Sequence, residues 1–299
     1  RRARLLELLR LVPGARETRM SGDEPQSDLL ILGAADPDQA EIDVGGGSVV
    51  AMTWKDPEKE TANEDTVGII PYGPEAVVLV IADGAGGLPA GKRASLTAVT
   101  TLAASLQSSV ERTILLRTAI LNGIEAANEA VMALGNGSAT TMTVVTIEGI
   151  VARAYQIGDS EALVVGQGGI IRMQTTAHSP TGFAVEAGFL DHRDALHHED
   201  RHLVSNFIGT TDMRIDMGAG IELRPRDTVL LASDGLTDNV HLDEIIERIR
   251  KGTLADGAQA VAGLARRRMA NGDSKQPSKP DDLSLILFRK PDSARMIVE

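Results

Sequence analysis

Residues 77–87 read VVLVIADGAGG, and the reading of this stretch decides the fold. Six apolar residues, 77–82, run straight into Asp83, and Gly84, Gly86 and Gly87 follow. A continuous, β-branched apolar run of this length bounded by glycine is the pattern of a strand buried on both faces. Such a strand delivers its terminal carboxylate to the edge of the sheet. Gly84 lets the backbone turn sharply there, so that a main-chain carbonyl can sit beside that carboxylate. The competing reading is a tight hairpin, for which Asp-Gly is a favoured turn.

The same design recurs along the chain. Residues 228–235 read TVLLASDG, with Asp234 at the strand end; residues 154–160 read AYQIGDS, placing Asp159 after another short apolar stretch. Asp281 and Asp282 precede LSLILF. Four separate apolar segments therefore carry carboxylates at their ends. Two unit charges about 4 Å apart repel by about 4 kcal/mol at an effective dielectric of about 20. Acids that converge in this way call for a divalent cation between them, and hard oxygen donors without cysteine indicate magnesium or manganese rather than structural zinc.

Composition narrows the function classes. The net charge of −12 over 299 residues opposes general nucleic-acid binding, which demands a basic face. Cysteine is absent, which excludes disulfides and thiolate catalysis and fits a reducing, cytoplasmic setting. Aromatic residues make up 2% of the chain, so the core must be built from Val, Leu, Ile and Ala. No run of about 20 apolar residues suited to a membrane span is present.

In chain order, residues 1–12 (RRARLLELLRLV) form an amphipathic pattern expected to pack as a helix or to bind a partner. Residues 13–47 read as a linker with an apolar island at 29–32 that could form an edge strand, and 48–53 as the first core strand. Helices are expected over about 91–107 and 111–134, the second with a stripe of Ile114, Leu121, Ile124, Ala127 and Val131. From Ser138 the pattern changes to short strands expected to form an antiparallel meander; 178–218 are less regular. Strand, turn and helix resume at 221–223, 228–233, 243–251 and 254–269, with a polar loop at 270–280. Strands interleaved with paired helices, without strict βαβ alternation, favour an α+β sandwich.

Six motifs in this order, NED (63–65), ADGAGG (82–87), GSATT (137–141), IGDSEA (157–162), SDGLTD (233–238) and PDDLSLILF (280–288), resemble those of PP2C-type (PPM) metal-dependent serine/threonine protein phosphatases, in particular the bacterial branch. The resemblance implies a four-layer α-β-β-α sandwich with two central antiparallel sheets. That domain would occupy residues 48–290, with a surface flap at 178–218 and a short tail at 291–299. It implies two Mn2+ or Mg2+ ions and a third, weaker site. Asp83 would bridge both ions, the Gly84 carbonyl would bind one, and Asp234 and Asp281 would hold the other. Glu64 and Asp65 would act mainly through water, and Asp159 with Asp234 and Asp238 would form the third site. Asp282 falls where the family usually has Asn and is a second choice. The implied activity is hydrolysis of phosphoserine and phosphothreonine in proteins by a metal-activated water, with a cognate kinase opposing it.

Two departures stand out. Where the family usually has a phosphate-binding Arg, this chain has Glu60, leaving Lys59 and Lys55 as replacements or as ordinary solvated residues. Eukaryotic members often have a general-acid His after Asp-Gly; here the residue is Ala85. In the flap, His198 and His202 are spaced as two zinc ligands on one helix face would be, although a polar flap is the preferred reading. The alternatives of a different class are a catalytically weak module that keeps the fold for binding or regulation, and a phosphohydrolase of a small metabolite.

Overall fold

The computed structural model describes residues 29–33, 36–85, 89–135, 137–271 and 276–291. The expected N-terminal helix over 1–12, Gly86, Gly87, part of the 270–280 loop and the tail from 292 lie outside the described residues.

Strand β5 (Ala76–Ala82) is buried along its whole length. Its side chains alternate between two cores: Val78, Val80 and Ala82 meet a helical layer, whereas Val77, Leu79 and Ile81 meet a second sheet. A strand covered on both faces has no polar side, which is why its sequence is an unbroken apolar run. The first sheet has the order β1 (Leu30–Leu32), β4 (Thr66–Pro71), β5, β8 (Met142–Glu148), β9 (Val151–Ile157) and β12 (Asp216–Met217), with β13 (Ile221–Glu222) also on β9. The second has the order β11 (Ile171–Gln174), β10 (Glu161–Val165), β14 (Thr228–Ala232), β15 (Leu283–Arg289), β3 (Gly47–Trp54) and β2 (Asp38–Val44). All pairings are antiparallel.

Helices α1 (Pro89–Glu111) and α2 (Leu116–Met132) cover the outer face of the first sheet. Helices α6 (Leu242–Ile249) and α7 (Leu254–Asn271) cover the second, giving three apolar cores between four layers. This is the expected α-β-β-α sandwich. On α2 the buried face runs through Leu116, Ala119, Ile120, Ile124, Ala127 and Val131, every three or four residues. Between β11 and β12 the flap contains α3 (Pro180–Glu186), α4 (His192–Ala195) and a 3-10 turn, Glu199–His202.

Two expectations need revision, and the less favoured zinc-pair reading of the flap histidines is not met. The segment read as a linker carries the edge strand expected at its apolar island, β1, and a second that was not expected, β2. β2 pairs with β3 from Asp38 to Val44, and its apolar residues, Ala40, Ile42 and Val44, alternate with exposed Gln39, Glu41 and Asp43. A solvated edge strand needs only one apolar face, so its acidic sequence resembles a linker. The expected meander is instead two hairpins in different sheets: β8 pairs with β9, but β10 pairs with β14 and β11. The chain changes sheets at Gly158, whose positive φ of 100° and close contact with Thr141 exclude a side chain. Finally, His198 caps the 3-10 turn by accepting a bond from the Asp200 N–H, so it does not share an α-helical face with His202.

A candidate metal centre at one end of the sandwich

The strand ends that carry the acids lie together. In β4 and β5, Thr66 faces Ala82, so one further step sets Asp65 opposite Asp83. In β10 and β14, Glu161 faces Ala232, and the same continuation brings Asp159 towards Asp234. β15 begins at Leu283, directly after Asp281 and Asp282.

Each strand end is held by its own hydrogen bonds. The Asp83 carbonyl accepts from Thr141 N–H at 2.8 Å and Thr140 Oγ1 at 2.7 Å, and the Asp83 N–H donates to Thr141 Oγ1 at 3.0 Å. The GSATT motif therefore serves as a clamp on the Asp83 main chain. No hairpin follows Asp83; Gly84 continues into β6 (Gly84–Ala85), which pairs with β7 (Ala139–Thr140). Gly84 is required for close approach rather than for a left-handed φ: a Cβ there would lie 2.2 Å from the Gly91 carbonyl oxygen in the first turn of α1. Gly235 has the same role, because a Cβ would lie 1.9 Å from the Asp282 carbonyl oxygen.

Asp65 is fully buried; its N–H donates to Asn63 Oδ1 at 2.9 Å and its Oδ2 accepts from Ser233 Oγ at 2.9 Å. Asp234 opens the short helix α5 (Asp234–Thr237), and Asp238 is its C-cap. Asp159 sits on the sheet-changing turn, held from the flap by His178, a residue that no motif in the chain singles out. The Gly158 N–H donates to His178 Nδ1 at 3.2 Å, as does Asn206 Nδ2 at 2.8 Å, so the ring proton lies on Nε2 and is donated to Asp216 Oδ2 at 2.9 Å.

Burial first and mutual repulsion second raise these acids. Asp65 and Asp281 are pushed up to about 7 and Asp238 to about 6, and Asp83 and Asp159 stand well above the ordinary carboxylate range. Glu161, which borders the same cleft, is pushed up to about 7 by burial. That cleft, of about 680 Å³, lies between Asp159, Asp234 and Asp238 and the flap.

Two lysines stand among the acids. Lys59 Nζ lies 2.5 Å from Glu64 Oε2 and 2.8 Å from Asp282 Oδ2. Lys279 Nζ bonds Asp234 Oδ2 and lies 3.0 Å from Asp238 Oδ2 and 3.4 Å from Asp281 Oδ2. Asp282 is saturated: Oδ1 accepts from Asp56 N–H at 2.9 Å, and Oδ2 from Glu64 N–H at 2.7 Å as well as from Lys59. It organises the 56–64 loop, whereas Asp281 accepts from the Asp282 N–H through Oδ1 at 2.9 Å and turns Oδ2 towards Lys279. Lys55 is anchored by its N–H to Asp36 Oδ1 at 3.0 Å, and no ion pair joins it to the acids among the described residues.

The donors suit a hard divalent cation. All are oxygens, and Glu64 Oε1, Asp65 Oδ1 and Asp234 Oδ1 are buried without a hydrogen-bond partner among the described residues, an arrangement that is costly unless something else binds them. No three His, Asp or Glu side chains among the described residues are drawn into a closed ligand set.

The described residues thus gather carboxylates from several strand ends at one end of a two-sheet antiparallel sandwich. The family model described as protein phosphatase 2C matches residues 57–269, and the chain belongs to that family. The protein phosphatase PhpP of Streptococcus pneumoniae is 29% identical over 216 residues, 70% of this chain and 87% of that one. The S. agalactiae serine/threonine phosphatase structure superposes with a TM-score of 0.67 at 26% identity, covering 81% of this chain and 98% of that one. The PstP catalytic domain in complex with two manganese ions has a TM-score of 0.64 at 24% identity, covering 82% and 98%; at that identity the likeness shows the fold.

Proposed function

We propose that this chain hydrolyses phosphoserine and phosphothreonine in proteins at a binuclear manganese or magnesium site. The observation that carries this reading is the convergence of Asp65, Asp83, Asp159, Asp234 and Asp281 from separate strand ends, with buried oxygens left unpartnered. The names of the bacterial relatives and the two manganese ions of the PstP domain support it.

Asp83 and the Gly84 carbonyl, together with Asp234 and Asp281, would hold two ions; Glu64 and Asp65 would contribute through water, and Asp159 and Asp238 would add a third position. Bound divalent ions supply Lewis acidity, polarising phosphoryl oxygens and lowering the pKa of a water nucleophile. The protein's own residues set the rest. Thr140, Thr141 and Gly91 fix the Asp83–Gly84 main chain. The cleft beside the flap gives the phosphorylated segment access to the acids. Ala85 has no proton to give the leaving group. Lys59 could meet the substrate phosphate only by giving up Glu64 or Asp282, and Lys55 is the less constrained ammonium.

The experiment is release of phosphate from a phosphothreonine peptide as a function of Mn2+, with Asp83→Asn alongside. Manganese-dependent turnover, reduced by orders of magnitude in Asp83→Asn, supports the proposal. Manganese binding without turnover would instead identify a binding module, a reading that the Lys59 and Lys279 ion pairs favour.

A further inference from the structure

Lys279 is held in place more firmly than its position in a polar loop implies. Its N–H donates to Asn239 Oδ1 at 2.7 Å and its carbonyl accepts from Asn239 Nδ2 at 2.9 Å; the same amide nitrogen reaches the Gly235 carbonyl at 2.9 Å. Asn239 is fully buried, so the Lys279 main chain is riveted to the turn that carries Asp234 and Asp238. A second tie comes from the flap, where Arg201 Nη2 donates to the Ser278 carbonyl at 3.1 Å. The geometry aims one ammonium at three carboxylates, those of Asp234, Asp238 and Asp281.

These three acids are among those that would hold the divalent cations. An ammonium and a divalent ion cannot share one set of carboxylate oxygens: they compete for the lone pairs and repel each other. Lysine suits such a competitor because its charge is compact and its four-carbon stem can withdraw, whereas a guanidinium fork is harder to dislodge from carboxylates. We infer that Lys279 is a tethered counter-cation that competes with the divalent ion for Asp234, Asp238 and Asp281 and thereby sets the metal concentration the site requires. This inference rests on the proposed metal-dependent function. It adds a determinant of metal affinity from this chain's own residues.

The test is calorimetric titration of Mn2+ into the full chain after chelator treatment and dialysis, for wild type, Lys279→Met and Lys279→Arg. Methionine keeps the length and apolar stem but removes both competition and repulsion. Lys279→Met should bind Mn2+ at least tenfold more tightly, about 1.4 kcal/mol, whereas Lys279→Arg should bind no more tightly than wild type. In chelator, Lys279→Met should melt below wild type, since its carboxylates lose their counter-ion; saturating Mn2+ should remove that deficit. Equal or weaker binding by Lys279→Met overturns the inference, and so does comparable tightening in Lys279→Arg. If wild type binds manganese and releases phosphate while Lys279→Met is unchanged in affinity, this inference alone fails. If no variant binds manganese, the proposed function fails with it. Should Lys279→Met precipitate when stripped, the loaded protein is challenged with rising chelator and released Mn2+ is read by electron paramagnetic resonance. A requirement for at least tenfold more chelator than wild type supports the inference, and an equal requirement overturns it.

Discussion

Asp83 and Asp282 are both carboxylates at strand ends, and their hydrogen bonds separate their roles. Among the described residues the hydrogen bonds at Asp83 are made by its main chain, which leaves the carboxylate open. Both oxygens of Asp282 are spent on Asp56, Glu64 and Lys59. Asp83→Asn should therefore keep the fold and raise the chelator-treated melting temperature, because it removes one of several mutually repelling charges. Asp282→Ala should lower it, since two buried N–H donors and an ammonium lose their acceptor at about 1–3 kcal/mol each. Melting curves of both variants in chelator decide this, and the opposite order would exchange the two roles. At Ala85 the question is the leaving group. A positioned general acid contributes about 10²–10⁴-fold, and a methyl group contributes none of it. Aryl phosphates, which stabilise their own departing charge, should be turned over faster than alkyl phosphates, with kcat falling steeply as leaving-group pKa rises. Ala85→His should flatten that dependence, provided its ring reaches the leaving oxygen. A wild-type slope near zero in a series of phosphate monoesters would mean that another acid acts or that chemistry is not rate-limiting.

At the level of elements, β5 and β14 were legible because burial on both faces leaves no room for a polar residue until the strand ends. The acids were legible for the complementary reason, since a carboxylate directly after such a run has to be paid for by function. What could not be read depends on contacts between residues far apart in sequence. Lys279 lies in a polar loop yet points into the acids, and His178 holds Gly158 from across the flap. Gly91 looks like a helical glycine of no consequence. In the structure a Cβ there would come within 2.6 Å of the Gly84 carbonyl oxygen and 2.4 Å of Glu64 Oε1, so α1 can approach β6 only through glycine. This gives a test with opposite signs. Helix propensity alone makes Gly→Ala stabilising by up to about 1 kcal/mol. The contact with Gly84 makes it destabilising by about 1–3 kcal/mol, as overpacking usually is, and displaces the carbonyl proposed as a metal donor. Gly91→Ala should thus melt lower and bind Mn2+ more weakly than wild type. A more stable variant with unchanged affinity would show that β6 and α1 are not coupled to the centre.

Over the whole molecule, the gathered acids make folding depend on pH in a direction opposite to that of ordinary surface carboxylates. Asp65, Asp238 and Asp281 titrate at about 7, 6 and 7 in the folded protein, and Asp83 and Asp159 lie well above the ordinary range. In the unfolded chain an aspartate titrates near 3.9. Between about pH 4 and 7 the folded state therefore binds more protons than the unfolded one, and stability falls as pH rises through this window. His241 works against this: burial, and then Arg193, lower its pKa, so it adds stability as pH rises towards 6.5. One histidine is outweighed by five aspartates. Glu244, lowered against burial by its bonds to Arg268, loses its contribution only below the ordinary glutamate range, so it does not intrude above pH 5.5. The ammonium groups of Lys59 and Lys279 stay charged across the same interval, because neighbouring carboxylates raise both against the opposing effect of burial. Chelator-treated protein should consequently melt at least about 5 °C lower at pH 8 than at pH 5.5. Saturating Mn2+ should flatten or reverse the trend, because metal binds the deprotonated carboxylates and binds them better as pH rises. Calorimetric melts at matched ionic strength, with and without manganese, measure both slopes. A metal-free melting temperature that rises from pH 5.5 to 8 would mean that the acids are not gathered as the structure has them, and the metal centre would lose its physical basis.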